Sequence, residues 1–166
     1  MKFYKVLDEN GNSTNGGNAT WSLPIKNDDG TWTPGEWMPV IEEKLIEDEN
    51  GYHLLRSESI AWDIGHTIYE AEYRGEALVG YSRTIVRECR LLRRVDTWTD
   101  HTARLFAAWC AQEKLKLSSS CLDTGQFLPW VAAKASAWNY AQATPWSAQK
   151  TTWETLSLKL VEMLGE

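Results

Sequence analysis

The chain predicts an α+β fold: a small, mostly antiparallel sheet with a short helix, followed by a three-helix C-terminal segment packed on it. Two observations carry this reading. Within 51–95, two runs alternate apolar and charged residues, the period of a half-buried strand: Tyr69, Ala71 and Tyr73 against Glu70, Glu72 and Arg74, then Ile85, Cys89, Leu91 and Val95 among charges. Beyond Asp100 the apolar residues recur every three or four positions, the period of packed helices. With 166 residues the chain can hold one core and such an appendage. The expected division is an α+β domain over 1–98, carrying a Trp/Pro-rich acidic insertion at 20–50, and a helical segment over 99–166.

The elements follow in order. FYKVL at 3–7 is a short strand, closed by the turn signal Asp8-Glu9-Asn10-Gly11, and 12–20 is a polar loop. Gly16-Gly17 there lacks the Lys-Ser/Thr pair and the following helix of a phosphate loop. Residues 21–39 hold Trp21, Trp32, Trp37 and three prolines around Asn27-Asp28-Asp29-Gly30, which reads as an irregular, hairpin-like insertion whose tryptophans cover the sheet. Residues 40–46 fit a strand or one helical turn, and Asp48-Glu49-Asn50-Gly51 is a second turn before a short extended piece at 52–55. Ser57 caps a short helix whose Ile60, Ala61 and Ile64 face inward, ended by Gly65. Strands are expected at 67–76 and 84–95.

Downstream, Thr99 or Asp100 caps a helix burying Leu105, Phe106, Trp109, Cys110 and Leu115, and 116–126 is a loop. Pro129 opens the next helix, with Val131, Ala135 and Trp138 on its inner stripe. The last helix, from Trp146 to Leu164, turns Trp153, Leu156 and Leu160 inward. The spacing of Ala135, Trp138, Trp146 and Trp153 reads as close helix packing with tryptophans as large knobs; an aromatic box is the functional alternative.

Charge is distributed in blocks. The net charge is −6, yet 28–76 alone carries 13 acids against three bases, and 83–94 then reverses sign with five arginines against Glu88. That pattern argues against nucleic-acid binding by the whole surface and leaves an acidic face suited to a basic partner. Cys89, Cys110 and Cys121 are odd in number, lack metal-ligand spacing and lie in or beside apolar segments, so buried thiols in a reducing cytoplasm are expected. The polar start MKFYKVLDENG predicts no secretory leader, and no stretch is long enough to span a membrane.

No residue set states a chemistry. His53, His66 and His101 form no metal motif, no nucleophile elbow surrounds a serine, and Asp28-Asp29-Gly30 lacks the remaining positions of a calcium loop. Glu70 and Glu72 share a strand face about 7 Å apart by strand rise, a spacing open to acid–base work but commoner as solvated charge. No cofactor is expected. The residues chosen as the binding surface are Asp28, Asp29, Glu36, Glu42, Glu43, Glu47, Asp48 and Glu49, with Trp32 and Trp37 supplying contact area.

Three motifs resemble a known pattern. YKVL at 4–7, GYH at 51–53 and IVREC at 85–89 are similar to the YKVF, GFH and I-x-REL motifs of an uncharacterised domain of phage and bacterial proteins. The Ala/Trp-rich helices beyond Arg104 resemble a segment of immunity proteins and their phage relatives. Together with the lack of a catalytic constellation, the acidic block at 28–76 and an excess of tryptophan, ten in 166 residues, these resemblances lead to the expectation of a non-enzymatic protein-binding module of phage or mobile-element type. Its most concrete form is an anti-CRISPR-like inhibitor that offers a host complex, of the kind that handles nucleic acid, carboxylates in place of phosphates. A toxin-neutralising immunity protein is an alternative implied by the tail. A weaker resemblance to ADP-ribosyltransferase-like folds would place functional residues at Tyr4 or Lys5, at Tyr52/His53 and at Glu88, although the first position is not the expected His or Arg.

Overall fold

In the computed structural model, residues 1–14, 17, 19–117 and 129–165 are described. They form two compact units, one of Met1–Ser57 with His66–Val95, the other of Glu58–Gly65 with the chain from Asp96 onward. The predicted α+β composition is present, with an antiparallel sheet in the first unit and three long helices in the second. The short helical stretch after Ser57 groups with the helices rather than with the sheet.

The first unit contains β1 (Phe3–Leu7), β2 (Ile25–Lys26), β3 (Trp32–Thr33), β4 (Tyr52–Arg56), β5 (Thr67–Val79) and β6 (Arg83–Arg94). Strand β1 pairs with β4 on one side and with β5 on the other, so the predicted sheet closes into a four-stranded barrel in the order β1-β4-β6-β5. The β5–β6 hairpin is its longest piece, three residues longer on β5 than the alternation suggests because Ala77, Leu78 and Val79 continue the ladder. Register shifts at Glu70/Ala71 and Arg74/Ala77 reset the alternation of inward residues. One core cluster joins Leu7, Leu54, Tyr69, Ala71, Val86, Cys89 and Leu91, covered by Trp21 and Met38 from the insertion.

The insertion has the expected hairpin, β2–β3, around the Asn27–Gly30 turn. Residues 40–46 are neither strand nor helix. They continue a strap that runs along β6, where Gly35, Met38 and Ile41 donate their backbone N–H groups to the carbonyls of Leu91, Cys89 and Arg87 at 2.9, 2.9 and 3.0 Å. Pro34 and Pro39 have no N–H to donate, and the Glu36 N–H goes to the Ser22 hydroxyl at 3.0 Å, so the ladder is intermittent.

The second unit takes up, from Glu58, the 3-10 helix Ser57–Asp63, with Ile60 and Ala61 buried as expected, and Ile64 is buried just beyond it. Helix α1 is Asp100–Leu117, α2 Pro129–Gln142 and α3 Gln149–Leu164. Thr99 caps α1, its Oγ1 accepting from the Thr102 N–H at 3.2 Å. Phe106 and Cys110 are buried on α1, but Leu105 is half exposed and the buried stripe runs instead through Ala103 and Ala107. The Leu115 side chain, the predicted 118–126 part of the loop, Cys121 and Gly16 lie outside the described residues.

Helix α2 departs most from expectation. Its buried side is Ala132, Ala133, Ser136, Ala137 and Ala141, whereas Val131 and Ala135 are half-buried and Trp138 is 53% exposed. Small residues allow α1 and α2 to approach closely, so the alanine stripe takes the interior and the tryptophan the opposite side. Helix α3 follows its predicted face, with Trp153, Leu156, Leu160 and Leu164 buried. Ser157, fully buried on α3, accepts the Ala61 N–H through Oγ at 3.1 Å. Ser157→Ala leaves that donor unpaired, and a thermal melt should show a loss of about 2 kcal/mol. Among the described residues no helix is long and apolar enough to cross a membrane.

Candidate functional site

The two charge blocks of the sequence meet in the β5–β6 hairpin. Arg93 pairs with Glu70 at 2.7 Å, Arg90 with Glu72 at 2.6 Å and Arg87 with Glu76 at 2.9 Å, while Arg74 of β5 pairs with Glu88 of β6. Opposite charges across an antiparallel pair stabilise its solvated face. The arginine-rich strand and part of the acidic block are therefore one zipped ladder rather than two surfaces of opposite sign. Glu70 and Glu72, the carboxylate pair of the sequence, each belong to an arginine.

Trp37 packs on this ladder, its ring lying 4.3 Å from the Arg74 guanidinium and 4.7 Å from that of Arg90. Trp21 lies beneath Lys5, 4.9 Å from its ammonium, and meets Tyr52 edge-on. These two tryptophans cover the sheet as the sequence suggests. Trp32 stays in the hairpin, where Lys26 stands over its ring at 5.6 Å.

The chosen carboxylates separate by role. Asp29 holds the β2–β3 turn, accepting from the Thr31 hydroxyl at 2.6 Å and the Thr31 N–H at 2.9 Å, and these bonds lower its pKa. Asp48 pairs with Arg83 at 3.2 Å. Asp28, Glu36, Glu42, Glu43, Glu47 and Glu49 are exposed, and none forms an ion pair with a described residue. Four of these six lie in the single loop 42–49; Asp28 and Glu36 sit on the insertion.

That acidic loop is held in shape. Ile46 and Asn50 form a bridge, and the Asn50 amide donates to the Lys44 carbonyl at 3.0 Å. Arg87 donates to the carbonyls of Ile41 and Glu43 at 2.6 and 2.7 Å, fixing the loop's start. At its other end the Asp48 N–H donates to Nε2 of His53 at 3.1 Å. Burial lowers the His53 pKa, and the charges of Lys5 and Arg83 lower it further, so the ring is neutral near pH 7 and serves as that acceptor.

The loop abuts a surface that the strand pattern did not reveal. At the end of the β5–β6 hairpin, Leu78, Val79 and Tyr81 are 42%, 71% and 61% exposed. The Asp48–Arg83 pair joins this tip to the acidic loop, and the Glu47 carboxylate occupies the space a side chain at Gly80 would need. Beneath the tip, the buried Arg56 donates to the carbonyls of Tyr81 and Arg83 at 2.9 and 3.0 Å and to the Thr84 hydroxyl at 3.2 Å. The sequence signal was ALVGY, an apolar run across a turn, where polar residues are the rule.

The positions singled out by the transferase resemblance are occupied structurally. Lys5 donates to the His53 carbonyl at 3.3 Å and Tyr52 to that of Pro39 at 2.9 Å. Glu88 is held by Arg74, whose guanidinium lowers its pKa. Among the described residues no group of three or more His, Cys, Asp and Glu side chains is placed to hold a metal ion. No protein-family model, curated protein or solved structure matches the chain.

Proposed function

We propose that this chain is a non-enzymatic protein-binding module whose working surface is the β5–β6 tip together with the 42–49 loop. The observation that carries this reading is the exposed Leu78, Val79 and Tyr81 set against a rim of carboxylates that pair with no described residue. An apolar centre with an aromatic residue and a charged rim is the composition of an interaction hot spot. Bonds to Arg56, Arg87 and Asn50 hold both halves before a partner arrives, which lowers the ordering cost of association.

The partner is a protein with a basic, apolar-centred patch. In its most specific form the module is a phage-type inhibitor of a host defence complex, with Glu42, Glu43, Glu47 and Glu49 standing where phosphates would lie. A reducing cytoplasm suits its thiols: Cys89 and Cys110 are free and buried, and burial pushes the Cys89 pKa up to about 12.

Affinity capture from host lysate at two salt concentrations tests this reading. The quadruple charge reversal of Glu42, Glu43, Glu47 and Glu49 to Lys should abolish capture of the partner at low salt, and duplex DNA or RNA should release it from the wild type. Tyr81→Ser should weaken binding about thirtyfold, as loss of a hot-spot residue does. Undiminished capture by both variants refutes the assignment.

A further inference from the structure

The second unit holds a cavity that the proposed binding surface does not use. It measures about 340 Å³ and is lined by Ala61 and Trp62 of the 3-10 helix, by the outward stripe of α2 and by Trp153 of α3. That stripe includes Trp130, Lys134 and Trp138, so four indoles surround one space. Trp62 and Trp153 are stacked, with centroids 4.4 Å apart, and Trp138 stands 6.0 Å from Trp153 at a tilt of 52°. The volume lies at the small end of the range of roughly 300–1,000 Å³ for small-molecule sites.

Helix packing accounts for Trp153, buried on α3, but not for Trp138. The interior face of α2 is its alanine stripe, and Trp138 is more than half exposed on the other side. An indole left so open forgoes much of the stabilisation its burial would supply. Three more around the same space make a platform for a flat ring.

Charge at the rim narrows the ligand further. Lys134 lies 3.7 Å from Asp63, and the lysine is the outer member, 45% exposed against 13% for the aspartate. The mouth therefore presents the ammonium side of an ion pair, with the carboxylate behind it. Tryptophan cages bind organic cations through their ring faces, but a cation here would meet Lys134 as well. An anionic group would be drawn to it.

We propose that this cavity binds a flat aromatic anion, its ring system against Trp138 and the Trp62–Trp153 stack and its carboxylate at the Lys134 ammonium. The test titrates the full chain with naphthalene-2-carboxylate, its neutral methyl ester and naphthylmethylammonium, read by tryptophan fluorescence quenching and by indole N–H resonances. The carboxylate should bind about fivefold tighter than the ester, the effect of one exposed ion pair, and the cation weakest. Lys134→Gln should remove the carboxylate's advantage while ester binding persists. Trp138→Ala should lose all three, with its circular dichroism unchanged and its melting temperature lowered by only a few degrees, because Trp138 is more than half exposed. Equal affinity for the three probes, binding that ignores Lys134→Gln, or resonance shifts confined to tryptophans outside the cavity would overturn the proposal. So would dimerisation of the wild type that Trp138→Ala abolishes, since a second copy would then be the occupant.

Discussion

Gly51→Ala is expected to destabilise the sheet unit by about 3 kcal/mol, through two separate effects. Gly51 has φ = +124°, a conformation that L side chains rarely adopt. A methyl group there would also run into Cγ2 of Ile85 and crowd Cδ2 of Leu45, both fixed in the core. Strain alone accounts for about 1–2 kcal/mol, and overpacking of a filled interior adds a similar amount. Gly75→Ala separates the two, because Gly75 has φ = +80° but open space around its Cα. A melt should place Gly51→Ala about 10 °C below the wild type and Gly75→Ala about 3 °C below. Equal shifts would show that backbone conformation alone matters at Gly51.

Arg56→Leu is the second large effect expected, again about 3 kcal/mol. Arg56 is 9% exposed, and its guanidinium bonds the carbonyls of Tyr81 and Arg83 and the Thr84 hydroxyl. Leucine fills part of the volume but leaves those acceptors unpaired beneath the hairpin tip. Arg56→Lys keeps the charge without the planar fork, so it should recover only part of the loss. Because these bonds hold the tip, hydrogen exchange at the Arg83 and Thr84 amides should accelerate in both variants. Capture of the partner should weaken in parallel, although Arg56 itself does not reach the surface. A melt that drops while exchange at those amides stays slow would place the effect elsewhere in the barrel.

Much of the fold was legible because its signals are local. The strands announce themselves by alternation, the turns at 8–11 and 48–51 by Asp, Asn and Gly, and α3 by its apolar period. Closure of the barrel was not, since nothing in FYKVL says that β1 pairs on both sides. The strap was hidden because its prolines and spacing match no ladder period. On α2, ranking by hydrophobicity put Trp138 inside, whereas close helix approach selects the small alanines.

The candidate surface was half legible. Carboxylates at 42–49 could be chosen from sequence, but only register shows which acids lie opposite an arginine: Glu70 and Glu72 do, Glu76 reaches Arg87 from within the register shift, and Glu42 does not. Leu78, Val79 and Tyr81 escaped notice because an apolar run reads as interior until the chain's path places it at a hairpin end.

The strap along β6 also limits how the protein can be recognised. An exposed row of backbone groups invites a foreign strand to add to a sheet, whether from a partner or from another copy. Beyond its pairing with β4, β6 meets the strap, whose N–H groups already occupy the carbonyls of Arg87, Cys89 and Leu91. On β5, past the end of its ladder with β1 at Ala71, Glu72, Arg74 and Glu76 alternate along the strand and a register shift interrupts it. Charged side chains and irregular register both discourage edge-to-edge addition. The barrel is thus guarded against fibre-like self-association, and its recognition is left to side chains.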